Sequence, residues 1–269
     1  MEKHMKIVLL AGTKQSGKTT TVTAIYGYSL VQQGVIPNAY INDKGRMSIV
    51  FDKEKNEGIY FDIDSNEPSF LEYKNRYTDA YVNHVGFADE LKRTACKQFG
   101  LNFNKLIGTD DEKNEECHIK WRSMAKLLPP AKKKEFKEFI DADKFMTNRQ
   151  FLEVLGTDIF RTIYEDCHIN SAYNRLCELS PDLAIVPDCR FANEFEFFEK
   201  IADHEVIKIK LNRNPFKSTA ASEVGLTPIE DSRFDLVVPE DMSLQERNNL
   251  VINYLVERGV LSSINIKAE

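Results

Sequence analysis

Apolar runs and helical stripes alternate along this chain. KIVLLA at 6–11 is a continuous apolar run closed by Gly12, which predicts a strand buried on both faces. The period then changes. Val22, Ile25, Tyr26, Ser29 and Leu30 share one helical face over 18–33, and Gly34 stands where that helix stops. RMSIVFD at 46–52 and GIYFDI at 58–63 flank the polar KEKNEG and predict a β-hairpin. VNHVGF at 82–87 predicts a core strand. ADELKRTACKQF follows as a helix presenting Leu91, Ala95 and Phe99, with Gly100 at its end.

The stretch 101–150 is polar, with prolines at 129 and 130, and predicts short helices. Its lysines at 132–134 read as a solvated helix face. A helix over 149–165 is interrupted by Gly156. LAIVPD at 183–188 is a second buried strand, followed by a helix over 194–201 and a strand, EVIKIKL, at 205–211. A loop over 212–234, a strand at 235–238 and a helix at 243–258 complete the series. Apolar strands alternating with helices predict an α/β sandwich with a mostly parallel sheet.

One motif carries chemistry. Gly12-Thr13-Lys14-Gln15-Ser16-Gly17-Lys18-Thr19 satisfies G-x-x-x-x-G-K-[ST], between the required strand and the required helix. Glycines let consecutive backbone N–H groups point at phosphate oxygens, and the helix adds the positive end of its dipole. Lys18 supplies a mobile charge for the β- and γ-phosphates, and the Thr19 hydroxyl suits a Mg²⁺ ion. The expected ligand is a nucleoside triphosphate with its metal.

Asp188 ends a buried strand, where a carboxylate faces the ligand crevice of a parallel sheet. It suits either Mg²⁺ or the acceptor, and Arg190 beside it suits phosphate. Lys92, Arg149, Arg161 and Arg213 stand at the ends of predicted elements, where cations screen converging phosphates.

Composition narrows the field. The formal net charge of -6 argues against a protein that coats nucleic acid. The five cysteines lack CxxC spacing and fit reduced thiols; Cys117-His118 and Cys167-His168 read as ordinary residues rather than metal pairs. No apolar run approaches a membrane span, and the start MEKHMKIVLLAG lacks a signal-peptide pattern, so the expected location is the cytoplasm.

With these residues in view, the chain resembles the bacteriophage deoxynucleoside monophosphate kinases, a branch of the P-loop nucleoside monophosphate kinases. Four blocks occur in the same order: AGTKQSGKTTT, GFADELKRTACKQFGL, NRQFLEVLGTDIFR and AIVPDCRFANEFE. A fifth, LNRNPFKSTAASEVGL, fits the loop near the end.

The resemblance implies a three-layer P-loop sandwich within one domain over 1–269. It would carry an inserted hairpin region at 38–80, a helical acceptor-binding cap at 101–150 and a lid loop at 212–234. It implies that Gly12, Lys14, Ser16, Gly17, Lys18, Thr19 and Thr20 hold ATP, with Arg213 on the closing loop. Lys92, Arg149, Gly156 and Thr157 would line the acceptor site. Asp188 and Arg190 would stand near the transferred group, with Arg161 as a further catalytic cation and Thr19 and Asp188 as metal ligands.

The reaction implied is transfer from ATP, with Mg²⁺, to a deoxynucleoside monophosphate. The partners implied are small nucleotides, with a homodimer left open, in the host cytoplasm if the chain is phage-encoded. Glu153 departs from a usual Gln, Pro187 from the usual residue before Asp188, and the 38–80 segment lies outside the minimal kinase core. The rival readings are a kinase acting on a modified nucleotide or a base in DNA, and a nucleotide switch. No N-K-x-D base reader supports a guanine-specific switch.

Overall fold

The computed structural model describes residues 4–13, 15–42, 45–50, 58–63, 65, 67–201, 204–213 and 229–263. Two compact units emerge: Met1–Gly86 with Asn174–Glu269, and Phe87–Tyr173.

In the first unit the strands are β1 (Lys6–Gly12), β2 (Ala39–Ile41), β3 (Met47–Val50), β4 (Gly58–Phe61) and β5 (Val82–His84). In the second, β6 (Glu116–Lys120) and β7 (Phe145–Thr147) form a small antiparallel pair. The chain then returns to the first unit for β8 (Leu183–Cys189), β9 (Glu205–Leu211) and β10 (Leu236–Val238).

The central sheet has the order β10-β9-β1-β8-β5, and every neighbouring pair is parallel. Alternation along each strand buries both faces. Val8, Leu10, Ile185, Ile207 and Ile209 join one cluster with Val22, Ile25, Tyr26 and Leu30 of the helix Lys18–Gln32 and with Val251 and Leu255 of the helix Leu244–Glu257. Ile7, Leu9, Ala184 and Val186, facing the other way, are equally buried. This explains why the strands read as unbroken apolar runs.

The segments 46–52 and 58–63 do pair, as β3 with β4, and β2 adds a third antiparallel strand that the sequence reading had not separated. Met47, Ile49 and Phe61 turn into the main core, while Ile59 and Tyr60 are exposed. The turn KEKNEG lies almost wholly outside the described residues. VNHVGF is strand only to His84; the ladder to β8 is extended by one bond, Val85 N–H to the Ile185 carbonyl at 3.0 Å.

The second unit holds the helices Asp89–Phe99, Phe103–Ile107, Asp110–Asn114, Trp121–Met124, Pro130–Glu135, Lys137–Asp141 and Asn148–Glu153. Its own core gathers Leu91, Ala95, Leu106, Trp121, Met146, Phe151 and Leu155, with Trp121 stacked on Phe136 at 4.2 Å. Lys133 and Lys134 are exposed, and Lys132 pairs with Glu135 at 3.0 Å.

Candidate functional site

Parallel strands bring their C-terminal ends to one edge of the sheet, and the residues expected to hold the donor gather there. Ala11 of β1 is opposite Cys189 of β8, and Gly12 is opposite Leu211 of β9. The Gly12–Thr19 loop therefore leaves the sheet with Asp188 on one side and Arg213 on the other. The Thr13 hydroxyl donates to the Arg213 carbonyl at 3.1 Å, joining the loop to the end of β9.

Between Leu9 and Ala11 the register with β8 slips by one residue, opposite Pro187 and Asp188. Proline has no N–H to offer a ladder, so a bulge at this point follows from the sequence. It sets Asp188 at the edge, beside the start of the loop.

Gly17 precedes the helix Lys18–Gln32 with φ +99, in the left-handed region that only glycine enters cheaply. A Cβ there would also come within 2.7 Å of the Arg247 Nη1. Ser16 is fully buried, and its hydroxyl has no partner among the described residues. The Lys18 ammonium bends back to donate to the Gly12 and Thr13 carbonyls at 2.5 and 2.8 Å. Thr19 is exposed, while Thr20 at the next position is half-buried. Lys14 lies outside the described residues, as does most of the expected lid, at 214–228.

The chemistry of the loop fits a polyphosphate. A left-handed glycine, a helix N-terminus, an orphaned buried hydroxyl and a mobile ammonium meet at one place. Thr19 and Asp188 are oxygen donors of the kind that Mg²⁺ prefers.

Beyond Asp188, Glu194 is buried to 1% exposure. Its carboxylate accepts from the N–H groups of Arg190 and Phe191, at 2.6 and 3.0 Å, and caps the helix Ala192–Glu199. The cap is thus Glu194 rather than Asp188. Charges converge on Cys189: its thiol is pushed well up by burial first, then by the Glu194 and Asp188 carboxylates, against the pull of Lys18.

The second unit carries the residues expected to meet an acceptor. Gly156 lies in a π-helical turn, Val154–Phe160, between the helices Asn148–Glu153 and Arg161–Ile163. A wide turn of this kind often marks a functional segment. A Cβ on Gly156 would stand 2.7 Å from Leu91 Cδ2 and 3.3 Å from His168 Nε2, so glycine permits the close packing. Thus Gly156 meets the helix that carries Lys92.

Thr157 is exposed, and Lys92 pairs with Asp89 at 3.1 Å. Arg149 pairs with Asp110 at 2.6 Å, an interaction that a phosphate would have to replace. Arg161 is half-buried and its charge acts on Cys167 and His168.

His168, which reads from the sequence as an ordinary residue, is buried against the π-helical turn. Its Nε2 donates to the Gly156 carbonyl at 3.1 Å, since a carbonyl only accepts. Burial pulls its pKa below 6.5, the Gly156 carbonyl opposes this, and Arg161 adds to the lowering. The unfolded chain therefore takes up this proton first as pH falls through the ordinary value. The contribution is a loss of stability on acidification below it, continuing until the folded imidazole also protonates. Thermal unfolding between about pH 7 and pH 5 should show a falling midpoint, and His168→Asn should flatten that slope.

A parallel sheet with a glycine loop joining its first strand to a helix, and a carboxylate on the next strand's edge, is consistent with the P-loop kinase sandwich. Comparison with known families narrows the class. The family described as deoxynucleotide monophosphate kinase matches residues 6–251, and the chain belongs to it. It is accordingly an enzyme, an ATP-dependent nucleotide phosphotransferase acting on small nucleotides. No curated protein matches the chain. Among the described residues, no helix is long and apolar enough to cross a membrane.

Proposed function

We propose that this enzyme transfers the γ-phosphoryl group of ATP to the 5′-phosphate of a deoxynucleoside monophosphate, giving a deoxynucleoside diphosphate and ADP. What supports this reading most is the convergence of Gly12–Thr19, Asp188 and Arg213 on one sheet edge, in a chain whose family match runs from 6 to 251.

In this reading the backbone amides of the Gly12–Thr19 loop hold the triphosphate, and Lys18 leaves its two carbonyls to meet the β- and γ-phosphates. Thr19 and Asp188 would hold Mg²⁺, which would supply neutralisation of charge on the β- and γ-oxygens. Lys92, Arg149, Gly156 and Thr157 hold the acceptor, and Arg161 and Arg190 screen its charge. An acceptor phosphate oxygen attacks the γ-phosphorus in line, and the bond to the bridging oxygen of ADP breaks. A monoester phosphate is already anionic near neutral pH, so no strong base is needed, and catalysis is positioning with charge neutralisation. The resemblance to bacteriophage enzymes suggests a role in phage deoxynucleotide supply, in the host cytoplasm.

A coupled ADP-release assay across the common ribo- and deoxyribonucleoside monophosphates tests the proposal. ADP release is expected to depend on a deoxynucleoside monophosphate. Steady ATP hydrolysis indifferent to every mononucleotide would overturn it.

A further inference from the structure

Among the described residues, one deeply buried charge is neither in the loop nor on the sheet edge. Arg247, in the helix Leu244–Glu257, is 2% exposed. Its Nη1 donates to the Ser16 carbonyl at 2.9 Å, and its guanidinium fills the space that a side chain on Gly17 would take. A guanidinium has five N–H donors. Here Nε and Nη2 are buried without a partner among the described residues.

No carboxylate pairs with Arg247 among the described residues. Burial depresses the guanidinium's pKa, and Arg213, a charge of the same sign, adds to the lowering. The neighbouring Asn248 accepts from the Thr21 hydroxyl at 3.3 Å, so this helix is fastened to the first turn after the loop. Buried ions are ordinarily paired, because leaving water uncompensated is costly. An unpaired cation packed against a phosphate loop, with a second cation near, is arranged for an anion that arrives later.

Peptide geometry adds direction. The Ser16–Gly17 peptide is planar and trans, so its N–H points opposite to its C=O. With the Ser16 carbonyl drawn to Arg247, the Gly17 N–H is turned away from Arg247.

We propose that Arg247 is a positioning residue for the bound polyphosphate. It fixes the Ser16–Gly17 peptide so that the Gly17 N–H faces phosphate, and it holds a buried positive charge that phosphate binding neutralises. This rests on the reading of Gly12–Thr19 as the phosphate cradle.

Sodium tripolyphosphate is the probe, with binding measured by calorimetry on the full chain. Arg247→Gln is expected to weaken tripolyphosphate about tenfold and to raise the KM for ATP in proportion, leaving the KM for the acceptor unchanged. Arg247→Lys, which keeps the charge, should recover most of the binding. The ligand-free thermal midpoint of Arg247→Gln should equal or exceed that of the wild type, because an unpaired charge has gone.

Wild-type affinity in Arg247→Gln, with or without a lowered midpoint, would reduce Arg247 to a packing residue and overturn the proposal. Should that variant fail to fold, the wild type decides. The Arg247 Nε–H resonance, identified by its loss in Arg247→Lys, should move when tripolyphosphate is added, and an unmoved resonance overturns the proposal. Failure of the wild type to bind either tripolyphosphate or Mg·ATP removes the cradle itself. That result is distinct from a wild type that binds and a Gln variant that binds equally.

Discussion

Lys18→Ala is expected to lower kcat by about 10²–10³-fold, which is roughly 2.7–4 kcal/mol of lost transition-state stabilisation. The ammonium sits at the mouth of the loop, bonded to the Gly12 and Thr13 carbonyls. Those bonds are to neutral acceptors, and a triphosphate offers stronger, charged ones. In the proposed mechanism charge builds on the bridging oxygen as the γ-phosphoryl group departs, and this ammonium would meet it.

Alanine is a good helix former and Lys18 is only half-buried, so the first turn of Lys18–Gln32 should stand. The thermal midpoint should therefore stay within about 2 °C, less than 1 kcal/mol moves in a chain of this size. Lys18→Arg should not restore turnover, because a planar fork cannot replace a compact point charge within a closed loop. Turnover at the wild-type rate in Lys18→Ala would end the assignment of Lys18.

The first strand, the glycine loop and the following helix were legible because three local signals agree there. These are an apolar run, a glycine pattern and a 3.6-residue stripe whose five residues are all buried. Asp188 was legible as the polar end of a buried strand, and the bulge that seats it traces to Pro187.

What escaped depends on tertiary contact. Glu194 and Arg247 are charged residues in helices, which ordinarily face water, and only the packed structure makes them 1% and 2% exposed. For Glu194 a faint local signal existed, a glutamate three residues after the position that begins the helix. For Arg247 none did, since its partner is the carbonyl of Ser16, 231 residues away.

The interruption expected at Gly156 is instead a widened turn, packed so closely on Leu91 and His168 that only glycine fits, and those neighbours lie outside the segment. The helix Pro68–Tyr77 was missed because it buries no residue fully, leaving no stripe to read; proline at its start was the available mark.

Asp188→Asn should reduce kcat by about 10²-fold while barely changing the fold. Asparagine has the shape of aspartate and keeps a carbonyl oxygen, but it carries no charge. Strand β8 is held by parallel bonds to β1 and β5, neither of which involves this side chain. A half-buried position at the sheet edge gives the amide room without a forced desolvation.

What changes is the field at the loop. Asp188 is one of two carboxylates whose charge reaches Cys189, and the other, Glu194, is already spent on backbone N–H groups. Removing the Asp188 charge thus takes a carboxylate away from the sheet edge where the Gly12–Thr19 loop begins. The half-saturating Mg²⁺ concentration should rise together with the fall in kcat. If Asp188 serves the acceptor instead, the KM for the deoxynucleoside monophosphate should rise with Mg²⁺ dependence unchanged. Measuring both in one variant separates the two roles, and wild-type values for kcat, Mg²⁺ dependence and acceptor KM together would remove Asp188 from the site.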